Sequence, residues 1–236
     1  MRIPRPLKKP TTAVPETNPA PPAKGKRKIR PALHSTIGPR AAAKRPGESD
    51  LRFAPLTPSR WPDFVELFGP HGATGGCWCM WWRQTAKEFN ARKGAPNKRA
   101  MKALVDSGRI PGILAYRDGR AVGWCSLAPR EEFPRLERSR ILERIDETRV
   151  WSVVCFFIAR SERRRGVATG LLRAAVAHAR KKGAKVVEGY PVEPRTGEFP
   201  DAFAFHGTAS TFLAAGFREA ARRSETRPIM RVRVRP

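Results

Sequence analysis

Two stretches of this chain hold residues of the type and spacing that chemistry needs. The first is Arg163-Arg164-Arg165-Gly166-Val167-Ala168-Thr169, between an apolar run at 150–158 and a helical pattern at 166–182. The start of a helix presents backbone N–H groups without intrahelical partners and the positive end of a dipole, a combination that attracts phosphate. Gly166 and the small Ala168 let a ligand approach the backbone, and arginines fork onto phosphate oxygens. The competing reading is an ordinary strand-to-helix loop with solvated arginines. The spacing is neither that of a Walker loop nor that of a Gly-x-Gly-x-x-Gly dinucleotide turn. The second stretch is Val186-Val187-Glu188-Gly189-Tyr190. A carboxylate among apolar residues beside a buried strand has its pKa raised toward the range of a general base. On the exposed face of an edge strand, Glu188 would instead be a solvated charge. Glu131 and Glu132 are weaker candidates for the same task.

A third cluster, Cys77-Trp78-Cys79-Met80-Trp81-Trp82-Arg83, follows the first helical pattern. Trp78, Trp81 and Trp82 either line a pocket for an aromatic or cationic ligand or pack into the core. Cys77-x-Cys79 with His71 has half the spacing of a metal site, but a structural zinc takes a Cys-x₂₋₄-Cys pair and a second pair elsewhere, so no metal is expected. Cys155 lies in an apolar run with no histidine nearby in sequence and reads as an inert buried thiol; the alternative is a nucleophile for an acyl-enzyme route. His178 reads as a surface residue. His206 opens the last helix, where it either faces a cleft or does not.

Stepping outward from these residues, the hydrophobic pattern gives a strand at 51–57 and a helix from Trp61 to Phe68. A second helix starts at Asn97 and stops at Gly108. A hairpin folds over Asp118-Gly119, and residues 130–149 form a charged loop or short helix. The run at 150–158 reads as a strand buried on both faces. A helix follows at 166–182, ended by Gly183 with Arg180, Lys181 and Lys182 in its last turn. A strand at 185–192, a helix at 208–215 and one or two strands at 217–235 complete the order. Together they make an α/β (α+β) fold: a mixed sheet with helices on its faces.

The 236 residues carry 47 Lys and Arg against 21 Asp and Glu, a net charge of +26. An anionic partner follows from such a balance. No stretch is long and apolar enough for a membrane span. Residues 1–50 hold 12 basic and 3 acidic residues, 10 of the 23 prolines and no aromatic residue. Such a segment buries too little to offset its ordering entropy, so it is expected to be a disordered basic tail before a domain at 51–236. It reads either as a solvated charge run or as an arm for nonspecific contact with nucleic acid or a ribosome. Four cysteines suit a reducing, cytoplasmic setting rather than a disulfide framework.

Arg163-x-x-Gly166-x-Ala168, after an apolar strand and opening an amphipathic helix, resembles the acetyl-CoA motif Gln/Arg-x-x-Gly-x-Gly/Ala of the GNAT N-acetyltransferase superfamily. The element order resembles that fold as well, and Ala215-Gly216-Phe217 is similar to its Gly-Phe ending. The resemblance implies a sheet that splays after the buried strand to receive the thioester of acetyl-CoA. It implies that backbone groups of Phe156 and Ile158 pair with the pantetheine arm and that Arg163, Arg164, Arg165, Gly166, Val167, Ala168 and Thr169 hold the diphosphate. The reaction implied is direct attack of a primary amine on the thioester in a ternary complex. Glu188 is the candidate base and Tyr190 a candidate acid, and Trp78, Trp81 and Trp82 wall the acceptor side. Two positions depart from the family pattern. Phe212 stands where many members have the tyrosine that protonates the leaving thiolate, and Phe205 where an asparagine contacts pantetheine. A different class of function, a basic nucleic-acid- or ribosome-associated binding protein on an inactive transferase fold, is the alternative. The acceptor amine and the oligomeric state are not readable from the sequence.

Overall fold

In the computed structural model, the described residues are 51–193 and 205–234. The expected basic tail at 1–50 lies outside them. Seven strands, β1 (Arg52–Pro55), β2 (Gly112–Arg117), β3 (Arg120–Pro129), β4 (Trp151–Ile158), β5 (Val186–Gly189), β6 (Arg218–Arg222) and β7 (Pro228–Arg233), form one sheet in the order β1-β2-β3-β4-β5-β7-β6. Every neighbouring pair is antiparallel except β4 and β5. That parallel pair is joined by α5 (Val167–Lys181), the crossover helix such a connection requires.

The hairpin at Asp118-Gly119 has positive φ at both positions, 50° and 78°, which matches the twist of the flanking strands. Helix α5 turns Val167, Gly170, Leu171, Leu172, Ala175 and Ala179 onto the sheet, against Ile113, Cys125, Val153 and Val187. A Cβ at Gly170 would come within 2.4 Å of the Phe53 ring, so the missing side chain is what lets α5 lie close to β1. Helix α6 (Ala209–Ala214), capped by the Thr208 hydroxyl, packs on the same face. The opposite face carries α1 (Trp61–Phe68), α2 (Ala86–Ala91), α3 (Ala95–Asp106) and α4 (Pro134–Glu137). Its core is built on Phe64, Phe68, Trp78, Met101, Trp124 and Phe133. Among the described residues no helix is long and apolar enough to cross a membrane.

Two features of β4 decide what this sheet can hold. Its pairing with β5 covers Trp151, Ser152 and Val153 alone, whereas its pairing with β3 continues to Ile158. Beyond Val153 the strands diverge. The register against β3 also slips at this level, with Ser126 opposite Cys155 and Leu127 opposite Val153, so Val154 is an extra residue on β4. Such a bulge bends the strand and breaks its alternation. It places Val154 and Cys155 on the same core face.

Candidate active site

Above the bulge, the direction of each backbone group follows from one hydrogen bond. The Ala159 N–H donates to the Val122 carbonyl at 3.0 Å, so Ala159, Phe157 and Cys155 point their backbone groups at β3. The intervening Val154, Phe156 and Ile158 therefore turn theirs into the gap left by β5. This is an edge inside the molecule that no strand covers, although Arg163 reaches the Ile158 carbonyl and His206 the Val154 backbone; the resemblance points to the Phe156 and Ile158 groups along it.

The edge leads straight into the arginine-rich turn. Glu162, in the single helical turn Arg160–Glu162, is 8% exposed and accepts hydrogen bonds from Arg117 Nε at 2.9 Å and Arg165 Nη1 at 3.0 Å. Arg163 Nε donates to the Ile158 carbonyl at 3.5 Å, and Arg164 sits at φ 60°. Gly166 follows at φ 80° as the N-cap of α5, with no side-chain cap. Only glycine adopts that conformation without cost, and a cap residue with an acceptor side chain would have taken the amides at the start of the helix. Arg164 is exposed while Arg165 is tied to Glu162, so the three arginines have separate roles.

On the α1–α3 face, beside the open edge of β4, is a mostly apolar cleft of about 450 Å³. Cys155, Phe156 and Phe157 form its floor, and Cys77, Cys79, Trp81, Phe89, Phe205, His206 and Arg227 are among its walls. The tryptophan cluster fans out around it, because Trp78 and Cys79 take positive φ of 42° and 55°. Trp78 turns into the core, stacked on Phe68 at 5.8 Å; a Cβ on Gly72 would overlap its indole. Trp81 lines the cleft, with the Arg135 guanidinium 3.8 Å from its ring centroid and Phe89 set edge-on at 4.9 Å. Trp82 is buried beside His206, its ring 5.6 Å away. Of the three tryptophans, only Trp81 lines the cleft.

His206 is 7% exposed and hydrogen-bonded to the Val154 backbone, while its Nδ1 has no partner. The bond to Val154 therefore leaves from Nε2, and Nδ1 keeps its lone pair. Burial, with a smaller contribution from the Arg227 charge, pushes the imidazole pKa down from 6.5 to about 3. The ring is neutral across the physiological range. A pKa lowered by folding means that the unfolded chain binds the proton first. The stability this residue contributes is then complete above pH 6.5 and drains away as the pH falls toward 3. Urea midpoints measured from pH 7 to pH 4 should fall in the wild type and flatten in His206→Asn, and parallel curves would show that His206 has no such role.

Cys77 is half-buried at the rim. The hydrogen bond from the Cys79 thiol, opposed by burial, lowers its pKa from 9.0 to about 7. Burial pushes Cys79 and Cys125 upward, and the Cys79 thiol also lies 3.5 Å from Cys155. Because the thiolate is the reactive form, iodoacetamide should modify Cys77 first, at a rate that climbs through pH 7. Peptide mapping identifies the residue; first labelling at Cys125 or Cys155 would contradict this order.

Glu188 and Tyr190 are brought together, but in a different compartment. Glu188 is 0% exposed and accepts from Arg130 Nη1 at 2.9 Å, Arg231 Nε at 2.6 Å and the Tyr190 hydroxyl at 2.6 Å. The Tyr190 hydroxyl also lies 2.8 Å from Ser152 Oγ and accepts from Arg130 Nη1 at 2.9 Å. Burial and the adjacent Glu188 charge hold the Tyr190 phenol well above its usual pKa. Glu137 and Asp146 close the network on its outer side, through Arg130 and Arg231. Neither Glu188 nor Tyr190 is among the cleft-lining residues, and each carboxylate oxygen of Glu188 already faces a guanidinium. Phe212 is fully buried, with its ring against Gly189, where a Cβ would fall 2.0 Å from Cε1, and edge-on to Phe156. A side chain there packs the floor from beneath and presents nothing to the cleft. Arg130 and Arg227 are the site residues that sequence reasoning missed. Arg130 gave no signal beyond an acidic neighbourhood, and Arg227 none.

Residues 78–194 match the family model described as the acetyltransferase (GNAT) family. The fold is similar to a putative GNAT-family acetyltransferase from Desulfovibrio desulfuricans, at 15% identity over 78% of this chain and 99% of that one, with a TM-score of 0.46. It is also similar to GNAT-family acetyltransferases from Streptococcus agalactiae (10% identity, 79% and 96% coverage, TM-score 0.47) and Listeria monocytogenes (8%, 78% and 94%, 0.46). No curated protein matches. The alternative of a nucleic-acid-binding protein on an inactive fold gains no support from these matches.

Proposed function

Because the chain belongs to the GNAT acetyltransferase family through residues 78–194, we propose that it transfers the acetyl group of acetyl-CoA to a primary amine by direct attack in a ternary complex. The observation that carries this reading is the edge of β4 at 154–158, which no strand covers, running into the uncapped start of α5. An extended amide-bearing arm is bound by an open strand edge as an added strand would be. A diphosphate is bound by helix-start amides. The two lie end to end, in the order in which pantetheine and diphosphate are joined. Phe156 and Ile158 supply the backbone groups for the arm, and the amides from Arg164 to Thr169, with Arg163 nearby, hold the diphosphate.

The thioester then falls near the bulge, beside the aromatic cleft. A backbone N–H on the gap side of β4 stabilises the negative charge that develops on its carbonyl oxygen. The acceptor must arrive as a neutral amine, since an ammonium has no lone pair. The cleft favours this by its chemistry: it is apolar, and its charged lining residues among those described are Lys93 and Arg227, both cations. Such surroundings lower an amine's pKa. His206 Nδ1 accepts the hydrogen bond that orients the amine without taking its proton, and the proton released on attack is carried by water to the departing thiolate. In this reading, Glu188 and Tyr190 are the buried support that fixes where β4 and β5 part, and proximity supplies much of the rate. Phe212 offers no proton to the departing thiolate, which leaves with water or the nearby thiols as acid. Four unbridged cysteines suit the cytoplasm, where acetyl-CoA is made and used.

Titration with acetyl-CoA, followed by assay of free CoA thiol over a panel of amines, tests the proposal. Saturable binding with thiol release dependent on at least one amine supports it. No binding at millimolar acetyl-CoA refutes it.

A further inference from the structure

Arg227 lies in the segment between β6 and β7 and lines the cleft. Its Nη2 donates to the Tyr190 carbonyl at 3.2 Å, while its Nε is buried with no partner. No carboxylate among the described residues pairs with it. Three other arginines that reach the interior of this face are neutralised, Arg83 by Glu132, Arg130 by Glu137 and Glu188, and Arg231 by Asp146 and Glu188, whereas Arg135, stacked on Trp81 at the cleft wall, likewise pairs with no carboxylate among the described residues and has a buried Nη2 without a partner. Burial alone draws the Arg227 pKa down to about 10, so it remains charged in use. A desolvated guanidinium without a counterion is unfavourable, and its fork of donors matches a carboxylate. The surroundings define what carries that carboxylate. Trp81, Phe89, Phe157 and Phe205 give the cleft flat apolar walls, and Lys93 adds a second positive charge at the rim. A polyamine would meet like charge here.

Resting on the acetyl-transfer reading above, we infer that the acceptor is an amine with an apolar or aromatic body that also bears a carboxylate, and that Arg227 binds this carboxylate. The matched substrates are L-tryptophan against tryptamine and L-phenylalanine against phenethylamine, each assayed with acetyl-CoA by thiol release. In the wild type, the carboxylated member of each pair should have a kcat/KM at least about tenfold above its partner, the size of one charge-assisted pairing. In Arg227→Gln this ratio should fall to about one, and Arg227→Lys, which keeps the charge without the fork, should recover part of it. Calorimetry with phenylacetate and phenylethanol gives a readout that does not need turnover. Phenylacetate should bind saturably to the wild type and lose about tenfold in Arg227→Gln, with phenylethanol binding weakly to both. Equal use of both members of each pair by the wild type, or phenylacetate binding unchanged in Arg227→Gln, overturns the inference. If no amine in any panel is acetylated, the acceptor assignment falls together with the transfer reading; retained Arg227-dependent binding of phenylacetate would then locate the error in the reaction and not in the anion site.

Discussion

Gly166→Glu is expected to weaken acetyl-CoA binding by about 100-fold, a loss of roughly 3 kcal/mol. Two physical effects add. Gly166 holds φ 80°, where a residue with a Cβ is destabilised by roughly 1 kcal/mol. The larger effect is electrostatic, since a carboxylate is set against a diphosphate at the positive end of α5. Steric exclusion within the protein is not involved, because nothing lies within 4 Å of a Cβ built at this position. Gly166→Asn separates the two effects, as asparagine tolerates the left-handed region and carries no charge. It should keep most of the affinity while Gly166→Glu loses it. Calorimetric titration of both variants decides the matter, and equal affinity in wild type and Gly166→Glu would mean that this turn does not hold the diphosphate.

The second large effect concerns stability. Glu188→Ala leaves Arg130, 1% exposed, and Arg231 without their shared carboxylate. Breaking a buried ion pair by removing one partner costs about 3–5 kcal/mol, on the order of 10 °C in Tm for a domain of this size. Thermal unfolding followed by circular dichroism measures it. Glu188→Gln distinguishes a supporting residue from a base. The support role predicts a lowered Tm with turnover per folded molecule largely kept, whereas a base would leave Tm intact and lower turnover.

That contrast shows what a sequence discloses and what it does not. The apolar run at 150–158 and the helical stripe after Gly166 were readable because burial on two faces and a 3.6-residue period each leave a local pattern, and both became elements, β4 and α5. The uncapped turn was readable because its glycine and small residues are contiguous. Glu188 was visible as a carboxylate among apolar residues, but its partners Arg130 and Arg231 lie 58 and 43 positions away. No local pattern announces a neutralising pair at that distance. The bulge at Val154 was hidden for a different reason: an unbroken apolar run reads the same with or without one extra residue. Helix α2 carries a full signal, Thr85 and Glu88 in a reciprocal capping box, although it is too short for apolar periodicity to reveal it. The tryptophans are adjacent in sequence, yet their separation into core and cleft depends on φ values at Trp78 and Cys79 that bulky residues rarely adopt.

Three residue pairs are all that stitch β4 to β5, so the sheet is two smaller sheets meeting at a short seam. Directly at that seam, the Glu188 network fastens the first half to the second: Arg130 extends from the end of β3 and Arg231 belongs to β7. A clasp at one end of a wedge sets how wide the other end can open. Residues that never touch a ligand thereby fix the width of the slot in which one lies, and loosening the clasp should let the two halves rock.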